Sequence, residues 1–296
     1  MQVYLEYGSL RRSPLYSCEN VTDLLAHKGE PAALSGIFYI LYGIAAQIAY
    51  CLALSVIKEK EFLSMSCYKF MFTLGILDSL CIIISCELTG YFLAVGAWYC
   101  MFPNVMFLCG VAVDVIFNSC CALCFLLVCN RFFDFWKPHI GETIFGGNRC
   151  WFIVLLGLCY GFLYLWTPPV LFSPVFGTWI YNPLIPGNEN TFSSIYQTIN
   201  NMSLCIGICV VYILIYIINS IKLKHVQTGK SKFQKQLFIQ SSLVCLFTFT
   251  TATIWASLVI IPPTQFIMHI GHLSWQMMHG IKGLMIGSLQ CRQKLQ

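Results

Sequence analysis

Charged side chains are scarce in this sequence. Only 10% of its 296 residues are Asp, Glu, Lys or Arg, whereas 58% are hydrophobic, and the mean hydropathy is +0.73. A soluble domain with this composition has too little polar surface to cover its apolar groups. The scarcity of charge therefore excludes an ordinary water-soluble protein and indicates an integral membrane protein.

Alternating polar and apolar strands are also missing, which excludes a transmembrane barrel. Seven stretches approach the roughly 20 apolar residues that a membrane-spanning helix needs. They cover about 34 to 57, 69 to 92, 101 to 129, 151 to 172, 203 to 221, 237 to 261 and 266 to 289. Because a spanning segment must satisfy its own backbone hydrogen bonds, we predict an all-α membrane protein with a bundle of seven transmembrane helices.

Lys and Arg are absent from three of the six predicted loops, and this absence predicts the orientation. The loops after the second, fourth and sixth spans contain neither residue, whereas those after the first, third and fifth contain many. Positive residues near membrane ends stay in the cytoplasm. We therefore predict an extracellular N-terminal tail (1–33), a membrane domain (34–289) and a short cytoplasmic tail (290–296), with no room for a soluble catalytic domain.

Cysteine is abundant, with 17 residues, but most lie inside predicted spans, where they act as small apolar side chains. The four between positions 120 and 129 lack the spacing of a zinc site. Cys18 and Cys100 lie outside, so a disulfide between them fits that oxidising space. Asn20 begins a glycosylation sequon on the same side, and Cys291 near the inner surface is a candidate for palmitoylation.

One acid lies in the middle of an apolar run, "FTLGILDSLCIII" (72–84). Asp78 follows Lys69 by a helical rise of about 13 Å, which places it near the bilayer midplane. Facing lipid there would cost at least about 2.5 to 3.5 kcal/mol, so we expect Asp78 to face the bundle interior. It either belongs to a hydrogen-bonding network that fixes packing, or forms a cation or proton site that biases one conformation.

Several motifs occur in one order along the chain: "SCYKFMFTLGILDSL" (66–80), "YCMFP" (99–103), "CNRFFDFW" (129–136), "IFGGNRCW" (144–151), "YNPL" (181–184) and "HLSWQMMHGIKG" (272–283). Together they resemble the nematode serpentine chemoreceptors of class T, the Srt family of seven-helix G-protein-coupled receptors, over about residues 36 to 290. The resemblance implies a rhodopsin-like bundle without a cofactor, in the plasma membrane or the ciliary membrane of a sensory neuron. It also implies a small-molecule ligand outside and a heterotrimeric G protein inside.

The resemblance further implies that Arg131, at the inner end of the third span, contacts the G protein in the active state. Asn130 stands where most rhodopsin-like receptors have an acid. We therefore expect no neighbouring acid to hold Arg131 in the resting state. Lys222, Lys224 and Lys235 are candidates for further contacts with the G protein or with anionic lipid, although topology alone explains most of this positive charge.

A ligand pocket needs a few polar groups in an apolar wall, and the outer half of the bundle offers few candidates. These are Asp114, Asn118, His269, His272 and Gln276. Asp114 lies about 25 Å of helix outward from Arg131. It either binds a basic or hydrogen-bond-donating ligand or forms a structural bond to the seventh span, for example to His272 or Gln276. Trp255 is expected to anchor the sixth span at the membrane interface.

A zinc protein and a transporter are the alternatives to a receptor. A seven-helix zinc protein needs ligands that converge to about 2.0 to 2.1 Å from the metal, and no His-x-x-x-His or His-Glu-x-x-His pair occurs. A transporter could use Asp78, Glu87 and Asp114 as an ion path, but the chain has no repeated halves. We therefore predict a receptor rather than an enzyme, with no bound metal and no nucleic-acid partner.

Overall fold

The computed structural model describes residues 1–19, 29–182, 185, 194–223, 232–258, 260–261 and 264–294. Seven long helices dominate the described part. They are α1 (Ala33–Ile57), α2 (Ser66–Ile82, continued by a π-helical turn Ile83–Leu88 and by Thr89–Val95), α3 (Pro103–Trp136), α4 (Arg149–Phe162, continued by a 3-10 turn Leu163–Trp166), α5 (Ile195–Leu223), α6 (Lys232–Ser257) and α7 (Gln265–Lys294).

Shorter elements connect or precede these helices. They are the helices Gln2–Tyr7, Lys60–Leu63 and Pro138–Phe145, the 3-10 turns Leu10–Arg12 and Tyr99–Met101, and the strands β1 (Leu171–Ser173) and β2 (Thr178–Ile180). The two strands form an antiparallel hairpin between α4 and α5. The end of the bundle that carries this hairpin is called the outer end below, in line with the predicted orientation.

The helices have the length and composition of membrane spans. Five described segments are long and apolar enough to cross a bilayer: Ala33–Ile57, Ser66–Val95, Pro103–Trp136, Arg149–Trp166 and Ile195–Ile218. A shorter apolar segment, Ser241–Ser257, lies within α6. With α7 these helices form a seven-helix bundle, so the predicted fold class is confirmed.

The core of the bundle lies around α3, which packs against α2, α4, α5 and α6. Side chains on several faces of α3 are buried, including Phe107, Leu123 and Leu127. In contrast, α1 packs against α2 and α7 and leaves large apolar side chains such as Leu41 and Ile48 exposed. Exposed apolar faces of this kind are what a lipid-facing helix requires.

Small residues allow α1 and α2 to approach closely. Gly36 of α1 and Gly90 of α2 lie opposite each other, and a Cβ atom on either would collide with the backbone carbonyl oxygen of the other. Glycine pairs of this type let helix backbones pack in direct contact within membranes.

Several predicted boundaries were wrong. The fourth span was predicted to reach residue 172, but its helical part ends at Trp166. Pro168 and Pro169 follow, which cannot donate backbone hydrogen bonds, and the chain then enters β1. α5 begins at Ile195 rather than at 203, and α7 continues to Lys294, past the predicted end at 289.

The hairpin between α4 and α5 covers the outer end of the bundle. Its register pairs Phe172 with Trp179, and all six strand residues are buried. Gly177 turns the chain with φ of 60°, a left-handed conformation that favours glycine. Trp179 donates from Nε1 to Oγ1 of Thr89 at 2.7 Å, and Thr89 Oγ1 donates to the carbonyl oxygen of Ile84 at 2.8 Å. The hairpin is thereby attached to the π-helical turn of α2.

The described part of the N-terminal segment also covers the outer end. Cys18 and Cys100 form a disulfide bond. The phenol of Tyr99 donates to the carbonyl oxygen of Tyr16 at 3.2 Å, and the N-terminal amine of Met1 donates to the carbonyl oxygen of the 3-10 turn after α4 at 2.7 Å. These contacts tie the tail to the outer ends of α3 and α4.

Candidate functional site

A cavity open on one side lies below the hairpin between α3, α5, α6 and α7, and its empty space, counted together with the solvent at its mouth, is about 600 Å³. Its lining residues come from these helices, from the hairpin and from the loop that follows it. They are Val113, Asp114, Phe117, Val170, Trp179, Tyr181, Ser194, Gln197, Thr198, Asn201, Trp255, Leu258 and Trp275. A mostly apolar wall with a few polar groups is typical of a small-molecule site.

Asp114 lies in the wall of this cavity and is only 4% exposed. Its Oδ2 atom accepts a hydrogen bond from the backbone N–H of Val170 at 3.2 Å, and its Oδ1 atom accepts one from the phenol of Tyr181 at 3.4 Å. Among the described residues, the carboxylate therefore contacts the loop that covers the cavity. The expected bond to His272 or Gln276 of the seventh helix is not among these contacts.

Gly110 allows the loop to approach Asp114. A Cβ atom at Gly110 would collide with the carbonyl oxygen of Val170. Because Gly110 lies one turn outward from Asp114 on the same face of α3, the two residues act on the backbone of the same residue, Val170. Gly110 leaves room for the backbone of Val170, and Asp114 accepts its N–H.

Tyr181 keeps its proton in this environment. Removal of the phenol from water and the nearby carboxylate of Asp114 raise the pKa of Tyr181 well above its ordinary value of 10. The neutral phenol remains a donor to Asp114 at physiological pH. In the sequence, Tyr181 lies 67 residues from Asp114, so its place in the motif "YNPL" (181–184) gives no sign of the contact.

Amide side chains form a connected row beside the cavity. Asn118 Nδ2 donates to Gln197 Oε1 at 2.9 Å, and Gln197 Nε2 donates to Asn201 Oδ1 at 3.1 Å. Asn118 Nδ2 also donates to the backbone oxygen of Asp114 at 2.7 Å. This row joins α3 to α5 along one side of the cavity. Asn118 was predicted as a site residue, whereas Gln197 and Asn201 precede the predicted start of the fifth span at 203 and were not.

Trp275 of α7 presents a donor without a partner among the described residues. Its indole is 4% exposed and lines the cavity, yet Nε1 makes no hydrogen bond in the described part of the chain. The ring packs edge-on between two imidazoles of the same helix, with centroids 5.5 Å from His272 and 6.2 Å from His279. These neighbours fix the orientation of the indole.

The polar residues predicted on α7 do not form one ligand-facing surface. His272 is buried beneath the hairpin, with Nδ1 2.9 Å from Oγ1 of Thr178. Gln276 donates from Nε2 to the carbonyl oxygen of Ser85 at 2.8 Å and lies 3.1 Å from Nε2 of His272. His269 is exposed and lies beside Gly177. None of the three lines the described cavity.

The amide of Gln276 also fixes the protonation of its neighbour. Because its nitrogen can only donate, Nε2 of His272 must accept. The hydrogen of the neutral ring is therefore on Nδ1, from which His272 donates to Thr178. This bond connects α7 to β2.

A second group of polar residues lies deeper in the bundle. Asp78 is buried and faces the interior, as expected. Its Oδ2 atom accepts from the phenol of Tyr50 at 2.9 Å, and its Oδ1 atom lies 2.5 Å from Nδ1 of His279. The phenol of Tyr50 also contacts the backbone oxygen of His279. These contacts connect α1, α2 and α7 at one point.

Asp78, His279 and Cys120 are the kinds of residue that bind metals, and their ligand atoms lie within 4.8 Å of one another. The contact of 2.5 Å between Asp78 and His279 is shorter than the separation of about 3.3 Å between two ligands of one tetrahedral zinc. The arrangement is that of a hydrogen-bonded pair. The thiol of Cys120 lies 3.9 Å from the same carboxylate.

Arg131 lies at the inner end of α3 and is largely buried. It pairs with Asp134 one turn further along, with a distance of 2.6 Å between nitrogen and oxygen. The expectation that no neighbouring acid would hold Arg131 was therefore wrong. The expectation was based only on Asn130, the residue before the arginine. Asp134 follows Arg131 by three residues, and residues three apart on a helix share a face.

Asn130 takes part in the same inner contact. Its Oδ1 atom accepts a hydrogen bond from Arg131 at 2.7 Å, and its Nδ2 atom donates to Ser66 Oγ at 2.9 Å. The arginine is thereby connected to the start of α2. Its Nε atom is buried without a partner among the described residues.

Several predicted site residues lie where the structure gives no side-chain description. Asn20 and Lys224 lie outside the described residues. Lys222 lies in α5, Lys235 in α6 and Cys291 in α7, and only their backbone positions are described. Their assignments as glycosylation, coupling or palmitoylation sites remain predictions.

Several residues of the cavity were not predicted from the sequence. Trp255, expected to be an interface anchor, lines the cavity, as do Trp179 and Trp275. Tryptophan is common both at membrane interfaces and in ligand pockets, so residue type alone could not separate the two. The one signal for Trp275 in the sequence is its position three residues after His272 and one before Gln276, two predicted site residues.

Comparison with known families identifies one match. Residues 3–288 match the family model described as "Serpentine type 7TM GPCR chemoreceptor Srt". The match covers all seven helices and both groups of polar residues described above. No match was found among the curated proteins.

Proposed function

Because the chain belongs to the Srt family of serpentine seven-transmembrane chemoreceptors, we propose that it binds a small extracellular ligand in the outer cavity and activates a heterotrimeric G protein. The family is a receptor family and not an enzyme family, and the chain is a multi-pass membrane protein. We further propose that it acts in the plasma membrane, including the ciliary membrane of sensory neurons.

The outer cavity is the observation that supports ligand binding best. It combines aromatic walls from α6, α7 and the hairpin with polar groups from α3 and α5. Asp114 belongs to this site as the residue that holds the loop in place through Val170 and Tyr181. Asn118 supports the wall through Gln197. The proposed roles of His272 and Gln276 are indirect, since both brace the hairpin and the π-helical turn.

Signal transmission would run from the cavity through α7. Trp275 lines the cavity and packs against His279, which pairs with Asp78 of α2. A ligand that contacts Trp275 differently in two conformations of the bundle changes the packing around this buried pair. Such differential contact is what a ligand needs to shift a conformational equilibrium.

On the inner side, the pair of Arg131 and Asp134 supports a resting state. The guanidinium is held by Asp134 and Asn130, so it is not free to contact a G protein in this arrangement. We propose that activation releases Arg131 from Asp134. Lys222, Lys224 and Lys235 lie near or in the third inner loop, where further contacts with the G protein or with anionic lipid are proposed.

The test is a ligand screen in cells that express the full chain, read out by calcium or cyclic nucleotide. An active compound should lose its effect in Val113→Trp, which places a large side chain in the cavity wall. Leu155→Trp is the matched control, because Leu155 is 53% exposed on α4, away from the cavity. Equal responses of both variants at equal surface level would rule out the cavity as the ligand site.

A further inference from the structure

The described lining of the cavity contains no basic side chain, and its one acid is already hydrogen-bonded. Its described lining contains neither Lys nor Arg, so an anion would lose its hydration without gaining a counter-ion. Asp114 is the single acid of that lining, and both of its oxygens accept hydrogen bonds from the covering loop. A cation at the carboxylate would compete with Val170 and Tyr181, which already donate to its two oxygens. Both ionic classes are therefore disfavoured.

Several polar donors around the cavity are already used. Trp179 donates to Thr89, Gln197 donates to Asn201, and Tyr181 donates to Asp114. These bonds hold the wall together and leave the aromatic faces toward the empty space. Such a lining favours a largely apolar ligand with a few polar atoms.

Trp275 differs from these residues. Its indole lines the cavity, and its buried Nε1–H has no acceptor among the described residues. The indole nitrogen can only donate, so a ligand group that hydrogen-bonds to it must be an acceptor. The imidazoles of His272 and His279 hold the ring from both sides, and the donor is thereby fixed in direction before any ligand arrives.

From this geometry we propose that the cavity takes an uncharged, largely apolar molecule with a hydrogen-bond acceptor, such as a ketone, ester or ether. Trp275 Nε1–H is the donor that recognises this acceptor. The inference deepens the proposed function and rests on the outer cavity being the ligand site.

The experiment uses the purified full chain in lipid nanodiscs and four sets of probes with matched chains of about six to nine carbons. The sets are methyl ketones, alkanes, primary alkylammonium ions and carboxylates. Binding is measured by the ligand-dependent shift of thermal unfolding, which requires no G protein. We expect ketones to bind with the highest affinity. The affinity of the alkanes should be at least about fivefold lower, and that of the two ionic sets lower still.

Trp275→Phe then isolates the N–H group, since it keeps an aromatic ring and removes the donor. We expect ketone affinity to fall about fivefold while alkane affinity stays the same, so the ratio of ketone to alkane affinity approaches one. Trp255→Phe is the matched control, because it makes the same change at another cavity tryptophan. There the ratio should stay as in the unmodified chain.

Several outcomes would overturn the inference. Tightest binding by ammonium ions or carboxylates, an unchanged affinity ratio in Trp275→Phe, or no ketone binding to the unmodified chain would each do so. The proposed function fails in a different way. If ammonium ions bind and signal, the receptor assignment stands and only the ligand class is wrong; if ketones bind without any G-protein response, the ligand class stands and the signalling proposal fails.

Discussion

The imidazole of His279 in α7 and the carboxylate of Asp78 in α2 form a buried pair, with 2.5 Å between Nδ1 and Oδ1. Tyr50 of α1 donates to the second oxygen of the same carboxylate. Three helices therefore depend on one acid near the predicted midplane of the membrane. Because a buried acid is costly without partners, this group links the relative positions of α1, α2 and α7.

Asp78→Asn should lower the stability of the bundle, since it replaces one of the two oxygens that contact Tyr50 and His279 by an amide nitrogen of similar size. We expect a loss of about 1.5 to 3 kcal/mol, measured by thermal unfolding in nanodiscs. The additional loss from Tyr50→Phe should be smaller in the Asp78→Asn background than in the unmodified chain, because both changes remove the same bond. Glu87→Gln, in the same helix, is the control. Strictly additive losses would contradict the shared contact.

Asp134→Asn should raise basal signalling, because it removes the acid that holds Arg131 in the resting arrangement. The pair is partly exposed, so we expect an increase of up to about fivefold. Arg131→Ala should abolish signalling at an unchanged surface level. Glu142→Gln is the control, since it removes a neighbouring acid that is not paired with Arg131. Unchanged basal activity in Asp134→Asn would show that the pair does not restrain the receptor.

Gly110→Ala should disturb the loop over the cavity. A Cβ atom at this position collides with the carbonyl oxygen of Val170, so the loop must move away from Asp114. We expect a loss of about 1 to 3 kcal/mol in stability and a weaker response to any agonist. Gly271→Ala is the control, because the nearest atoms there lie 3.6 Å away, and its effect should stay within about 0.5 kcal/mol. Similar effects of the two changes would count against the close approach.

Cys124 of α3 and Cys245 of α6 should cross-link under mild oxidation, since their sulfur atoms lie 3.3 Å apart. A protease site is inserted at 224–231 and the chain is cleaved there. The two fragments then run separately on a denaturing, non-reducing gel unless a disulfide between Cys124 and Cys245 joins them. Cross-linking should disappear in Cys245→Ser and persist in Cys129→Ser. An agonist should slow the reaction if activation moves α6 away from α3. Complete separation of the fragments in the oxidised, unmodified chain would refute the contact.

The orientation of the chain can be tested with epitope tags. A tag after residue 1 should be stained on intact cells, whereas one after residue 296 should require permeabilisation, because Lys and Arg concentrate in the loops predicted to be inside. The reverse pattern would invert every assignment of inner and outer ends made above.

The sequence by itself determined the membrane-spanning class and the number of long helices, because apolar length is a local property of the chain. It also required Asp78 to be buried, since an acid in an apolar run must avoid lipid. The positions of the helix ends were predicted less accurately. The double proline 168–169 explains the early end of α4, yet the fifth span was placed too late because polar residues at its outer end read as a loop.

The tertiary structure alone decided which polar groups meet. Asp114 contacts Val170 and Tyr181, which are far from it in the sequence, and the indole N–H of Trp275, which lines the cavity, has no acceptor among the described residues. Hydropathy and helical periodicity place a side chain on a face but do not give the rotation of that face against its neighbours. That rotation follows from close packing between helices, where glycines such as Gly36 and Gly110 permit contacts that larger residues would prevent.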